Sequence, residues 1–306
     1  MAFWCGAFFR SYVSDVSNHN CLLPKRWQNV MSTSVEPRGW AKAALHVNGW
    51  FVYMFFYAPI VLLVIYSFSN SRNVGTWGGF TLDWYRDFFD SSNARGALSN
   101  SVKIAIFSTI ISVALGTMAA LSLERFTFRG KKVFDALLYL PIIIPDVTMA
   151  VMMLLFFGEF FDVLDALFGL GLRKGFWSIS ISHIAFNISF VSVVVRARLA
   201  GMDTDLEEAA IDLYASRWKA FRYVTFPQIV PGIAGGALLA MTLSLDDVVI
   251  TQFVAGPGWT TLPVYVFGLI RKGVTPLINA VSVTMLVVSM LLVVLSIVAQ
   301  RVRRSG

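Results

Sequence analysis

Six runs of this chain are apolar over roughly the 20 residues that a helix needs to cross the hydrocarbon core of a bilayer. They cover residues 47–68, 104–123, 133–157, 179–195, 229–253 and 280–299. No other feature restricts the fold as severely. The composition agrees, with 57% of 306 residues hydrophobic and only 14% charged. The expectation is an all-α membrane protein with six transmembrane helices over residues 47–300. An N-terminal extension (1–46) precedes them and a short tail (301–306) follows. The fourth run is the shortest and the most polar.

Basic residues set the orientation, because Lys and Arg collect in cytoplasmic loops. An even number of spans puts both termini on one side. The termini with the 2–3 and 4–5 loops hold 17 of the 25 basic residues, and the other face holds 8. Both termini and the 4–5 loop are therefore expected in the cytoplasm. The net charge of +7 is juxtamembrane, which topology explains better than a nucleic-acid partner.

The 4–5 loop, residues 201–227, is the most informative polar stretch. Leu206, Ala209, Ala210 and Leu213 fall at i, i+3, i+4 and i+7, a helical stripe. Trp218, Phe221 and Thr225 repeat the pattern on a second segment. The first segment is acidic (Asp205, Glu207, Glu208, Asp212) and the second basic (Arg217, Lys219, Arg222). Two short amphipathic helices on a loop between spans read as a surface that docks into another protein. Glu208, Ala209, Ala210, Ala215, Ser216, Phe221, Val224 and Pro227 resemble the EAA signature of ABC-importer permeases. The resemblance implies the type I ABC-importer permease fold, with coupling helices that insert into a cytoplasmic ATPase dimer. Glu207, Glu208, Ala209, Ala210, Tyr214, Ala215 and Pro227 are the expected coupling residues. The chain departs from the pattern at Tyr214, where the family has glycine at the bend. Tyrosine at a positive φ is strained or forces a different turn.

A second series is similar to the spermidine/putrescine branch of these permeases. It comprises Leu98-Ser99-Asn100-Ser101, Pro145-Asp146-Val147, Ser244 to Ile250, Phe253 to Gly258, Thr260 to Val266 and Gly273 to Ala280. This resemblance implies polyamine import, with a second permease subunit and an extracytoplasmic polyamine-binding protein. The residue types agree. Asp246 and Asp247 lie inside the fifth run, and Asp146 inside the third, which Pro141 and Pro145 break. A carboxylate at membrane depth is costly unless it meets a cation or a water-filled cavity. Polyamines are chains of ammonium groups, which carboxylates and aromatic faces complement. Asp146, Asp246 and Asp247 are thus candidate pathway residues, the alternative for each being an interhelical hydrogen bond or an ion pair. Adjacent residues on a helix point about 100° apart, so Asp246 and Asp247 do not share one role.

Trp84, Tyr85, Phe88 and Phe89 form one face of a short extracytoplasmic helix, with Thr81 as its N-cap. Such a face anchors at the membrane interface, and Trp84 and Tyr85 are also candidates to close over the pathway. His183 and Asn187, one turn apart in the fourth run, are expected to bond a neighbouring helix. No phosphate loop is present: Gly130-Lys131-Lys132 lacks both the upstream glycine and the hydroxyl. The chain is therefore read as no enzyme, with no cofactor and no metal site. Cys5 and Cys21 fall in the cytoplasmic extension, where a disulfide is not expected. Met31 looks like a chain start, so residues 1–30 are expected to be dispensable. Two other readings stay open: an ABC permease for Fe(III) or an organic cation, and an ion-coupled secondary transporter using Asp146 and Asp246. Sequence does not choose between putrescine and spermidine.

Overall fold

The computed structural model describes residues 39–305 except 72, 74, 170, 172, 203, 204 and 274. Residues 1–30, with Cys5 and Cys21, lie outside the described residues. Those described are helical apart from loops and a single antiparallel bridge, Ser69 to Phe80. The chain divides into two compact units, Met1–Val61 and Leu62–Gly306. Helix α1 (Gly39–Tyr66) contains Pro59. It exposes Trp50, Phe51, Met54 and Phe55, the all-round apolar surface of a helix whose solvent is lipid.

In the second unit the order is α2 (Asp83–Asp90), α3 (Ser92–Arg125), α4 (Lys131–Ile143), α5 (Asp146–Phe168), α6 (Phe176–Ala200) and α7 (Asp205–Asp212). Then follow α8 (Arg217–Ala220), a π turn (Phe221–Thr225), α9 (Phe226–Asp246), α10 (Val249–Val254), α11 (Leu262–Lys272) and α12 (Pro276–Ser305). Five helical segments are long and apolar enough to cross a membrane: Lys42–Tyr66, Ser92–Arg125, Asp146–Phe168, Phe176–Ala200 and Arg217–Asp246. Helix α12 lies where the sixth span is expected; by the same measure its described part, Pro276–Leu291, is a shorter apolar helix.

The core is built on α3, α6 and α9, which pack side by side. Small residues allow that closeness. A Cβ on Gly116 of α3 would sit 2.8 Å from the Val191 side chain and 3.0 Å from the Ile188 carbonyl of α6. Val191, Val195, Ile229 and Ala240 are fully buried around it. The interior is also polar, with Ser108, Ser112, His183 and Asn187 all fully buried.

Two of the expected spans are interrupted. The third run is two helices, since Ile144 is extended ahead of Pro145 (φ −70°, ψ 132°). A residue before proline is pushed out of the helical region, so α5 restarts at Asp146 and spans alone. The helix of the fifth run stops at Asp246, and α10 begins at Val249 after two intervening residues. Asp146 and Asp247 therefore sit at helix breaks, not within continuous helices. Nor are there two free amphipathic helices in the 4–5 loop. Only α7 stands apart. Residues 217–246 are helical throughout, with the π turn where the Pro227 ring would meet the carbonyl four residues earlier.

Candidate functional site

The loop 201–227 builds the first candidate site. Helix α7 ends in a Schellman motif: Ala215 N–H donates to the Ala210 carbonyl (3.0 Å) and Tyr214 N–H to that of Ile211 (2.9 Å). The motif needs a left-handed residue between helix and loop, and Tyr214 supplies it at φ 65°. Tyrosine thus accepts the glycine-like bend and does not force a new turn. Its ring is 98% exposed. Ser216 then caps α8, accepting from Lys219 N–H at 3.3 Å. Pro227 follows the π turn within the continuous helix 217–246, and the wider turn makes room for its ring.

Within this loop Glu207 and Glu208 separate. The Glu207 carboxylate accepts from Thr225 Oγ1 (2.6 Å) and pairs with Arg125 at the end of α3 (2.7 Å). Partial burial works to raise its pKa, but the bonds from Thr225 and Arg125 outweigh that and hold it below its ordinary 4.5. Glu207 anchors the loop to its own chain. Glu208 and Ala209 are exposed, as are Leu206, Leu213 and Trp218. Glu208 makes no hydrogen bond or ion pair among the described residues. Ala210 and Ala215 are half-buried.

Two expected outcomes follow. Tyr214→Gly removes about 1 kcal/mol of left-handed strain, so amide exchange over residues 205–216 slows roughly five-fold. Exchange that is unchanged or faster counts against a strained bend. The Glu207 contacts depend on pH with a definite sign. A carboxyl whose folded pKa is depressed contributes fully above its unfolded value and loses that contribution as pH falls through the folded one. The gap in melting temperature between the native chain and Glu207→Gln is therefore constant above pH 4.5 and closes below it. A gap that opens on acidification would contradict the ion pair.

The second candidate site is the break between α9 and α10. Asp246 is exposed and, among the described residues, makes no hydrogen bond or ion pair. Asp247 is 11% exposed and fully engaged. Its Oδ2 accepts from Thr251 N–H and Oγ1, both 2.7 Å, and its Oδ1 from Ile250 N–H at 3.3 Å. His183 Nε2 lies 3.3 Å from Oδ2 and 3.0 Å from Thr251 Oγ1. His183 Nδ1 meets Ser244 Oγ at 2.7 Å, and Ser244 meets Ser108 Oγ at 3.1 Å. His183 thus bonds neighbouring helices as expected. Asn187 does not: it is buried with both amide atoms unpartnered.

Asp146 is exposed in the first turn of α5, where a negative charge faces the positive end of the helix dipole. Among the described residues it makes no hydrogen bond or ion pair. Trp84 and Tyr85 are half-buried and tied down. Trp84 Nε1 donates to the Ser69 carbonyl (2.9 Å), and Tyr85 Oη meets Ser67 Oγ (2.8 Å). Phe88 is buried and Phe89 half exposed. The N-cap of α2 is Leu82; Thr81, one residue earlier, accepts from Asp83 N–H at 3.1 Å.

Sequence reasoning missed the clasp that holds the α10–α11 loop. Asn100 Nδ2 donates to the Gly258 and Thr260 carbonyls (2.9 and 3.2 Å), and Ser101 Oγ accepts from Leu262 N–H (2.7 Å). At the other side, Ser178 Oγ donates to the Val254 carbonyl at 2.8 Å. Two glycines far apart in sequence, Gly256 against the Lys174 carbonyl and Gly175 against Trp259, were the available signal of close approach.

Comparison with known proteins places this geometry. The spermidine/putrescine transport system permease protein PotC of Escherichia coli (strain K12) is 36% identical over 255 residues, 83% of this chain and 93% of its own. The putrescine transport system permease protein PotI of the same strain is 41% identical over 235 residues, 76% of this chain and 82% of its own. A crystal structure of a bacterial alginate ABC transporter, in complex with an alginate pentasaccharide-bound periplasmic protein, superposes with a TM-score of 0.66. It is 19% identical and covers 89% of this chain and 96% of its own, so the fold is that of an ABC-importer permease. Residues 112–304 match the model of the binding-protein-dependent transport system inner membrane component. With the apolar helices, the exposed loop helix and that match over most of its length, this chain belongs to the inner-membrane components of binding-protein-dependent transport systems.

Proposed function

We propose that this chain is the permease subunit of an ATP-driven polyamine importer, carrying putrescine or spermidine into the cytoplasm. The observation that carries the reading is Asp246, a carboxylate unpaired among the described residues, at the helix break that ends a membrane-spanning segment. Relatives named for spermidine and putrescine transport support it. An ammonium chain is the cargo that such a carboxylate complements. On this reading Asp246, and Asp146 from a second helix break, face the pathway, while Asp247, Trp84 and Tyr85 shape it from behind.

The rest of the assembly follows from the chemistry the chain lacks. No phosphate-binding loop is present in the sequence, so ATP hydrolysis belongs to a separate ATPase dimer. The exposed face of α7, with Glu208 and Ala209, docks into it. A second permease subunit completes the pathway, and a binding protein delivers the cargo. Both termini lie in the cytoplasm with the docking loop.

Proteoliposomes holding the full complex are expected to accumulate labelled putrescine or spermidine only with ATP, and vanadate is expected to stop them. Ala209→Asp leaves the complex assembled and lowers that uptake about tenfold, since one charge buried in a contact costs more than 1.4 kcal/mol. Vanadate-resistant, gradient-driven uptake would indicate a secondary transporter. ATP-driven uptake of Fe(III) or another cation in place of polyamines would keep the permease and change the cargo.

A further inference from the structure

We propose that His183 is a positioning residue for the transport pathway. Held between Ser244 on one side and Asp247 and Thr251 on the other, it keeps the α9–α10 break open so that Asp246 faces the cargo. The inference rests on the reading of Asp246 as the pathway carboxylate, and it takes Asp247 out of direct contact with cargo.

The break needs an outside cause. Residues 244–250 contain no proline and no glycine, so nothing in the local backbone prevents α9 from continuing into α10. Asp247 is nonetheless extended (φ −67°, ψ 123°), and its carboxylate caps the new helix through Ile250 and Thr251. A carboxylate buried to that degree requires a counter-group. His183, fully buried on α6, places Nε2 3.3 Å from the Asp247 carboxylate and is the ring that faces it. Arg173 and Lys174 stand before the first turn of α6, two helical turns away in sequence, and make no bond to Asp247.

With a neutral ring, one set of directions satisfies every group. Thr251 Oγ1–H is given to Asp247, so His183 Nε2 donates toward Asp247 and Thr251. Its Nδ1 then accepts from the Ser244 hydroxyl. One ring therefore grips the last turn of α9 through Ser244 and the first turn of α10 through Thr251. It does so from a helix that is itself locked to α3 at Gly116. At the far end of α10, Ser178 of α6 binds the Val254 carbonyl. Both ends of α10 are fastened to α6, and Asp246 is the acidic residue of the joint that this leaves free.

The decisive test measures where residue 246 points, without reference to any cargo. In the full complex with Cys5→Ser and Cys21→Ser, Asp246→Cys is labelled by a water-soluble cationic methanethiosulfonate. His183→Ala is expected to change the labelling rate at least about threefold. His183→Gln, whose amide nitrogen can reach the place of Nε2, is expected to restore it. Thr251→Val, which removes one hydroxyl, repeats the measurement if His183→Ala fails to assemble. Equal rates in all backgrounds would overturn the proposal. Transport supplies a second arm. His183→Ala should lower the uptake of an otherwise native complex several-fold, yet cost little when combined with Asp246→Asn, because residues that act through one another are not additive. Full additivity would reduce His183 to a structural residue. If the native complex moves no polyamine, the cargo reading fails, while the labelling result still decides the role of His183.

Discussion

Asp246→Asn lowers polyamine uptake roughly five- to thirty-fold at wild-type expression and assembly. Asparagine keeps the shape and the hydrogen bonding of the side chain but removes its charge. A charge-assisted hydrogen bond contributes roughly 1.5–3 kcal/mol against about 1 for a neutral one. The difference of about 1–2 kcal/mol gives the stated factor. Asp246 makes no bond among the described residues, so the substitution leaves no buried group unpaired there and assembly is unaffected. Asp247→Asn behaves in the opposite way. Its carboxylate holds three donors around the start of α10, and the loss falls first on assembled complex, with a smaller fall in uptake per assembled complex than Asp246→Asn gives. Uptake of labelled putrescine and spermidine by matched amounts of reconstituted complex separates the two. Uptake indifferent to Asp246→Asn would end the cation-pathway reading.

Gly256→Val removes most of the assembled complex. A Cβ at this position would lie 1.7 Å from the Lys174 carbonyl oxygen and 2.5 Å from its carbon. Both are backbone atoms, so no side-chain rotation relieves the clash. The loop cannot retreat, because Asn100, Ser101 and Ser178 hold it on three sides. Overpacking of a fixed site costs about 1–3 kcal/mol and more where backbone must move, which predicts at least a tenfold loss of the assembled form. Size-exclusion yield in detergent reads it directly. Lys174→Gly does not rescue, since the obstructing carbonyl remains. A monodisperse Gly256→Val complex at normal yield would show that the loop is pliable.

Much of this architecture was legible in the residues, and the exceptions have physical causes. Apolar length alone located the spans, because lipid imposes that requirement on every crossing helix. Proline at 145 announced the break ahead of α5, since its ring acts on its immediate neighbours. The break at Asp247 was not readable, because it is made by a side chain that competes with the backbone for helical N–H groups. Its partner, His183, is 64 positions away. Helix α11 was overlooked although Pro263 and Gly273 bracket it, an arrangement that marks helix ends. In the docking loop the acidic stripe was visible. That Glu207 turns inward to Arg125 while Glu208 does not depends on where the end of α3 arrives, which no local pattern encodes.

On the proposed function, the unbroken run from Arg217 to Asp246 serves the subunit as a drive shaft. Thirty helical residues make a rod of about 45 Å, with the docking loop at one end and the unpaired carboxylate at the other. A helix resists twist far better than a loop does, so on that reading a rotation applied beside Trp218 reaches Asp246 through helix alone. The π turn at Phe221–Thr225 is the compliant collar of that shaft. Its extra residue per turn sets the angle between the driven end and the working end. Deleting a single residue there would turn one end against the other by about 100° while leaving every contact of α9 with α3 and α6 in place. The angular setting of the machine is thus held in five residues.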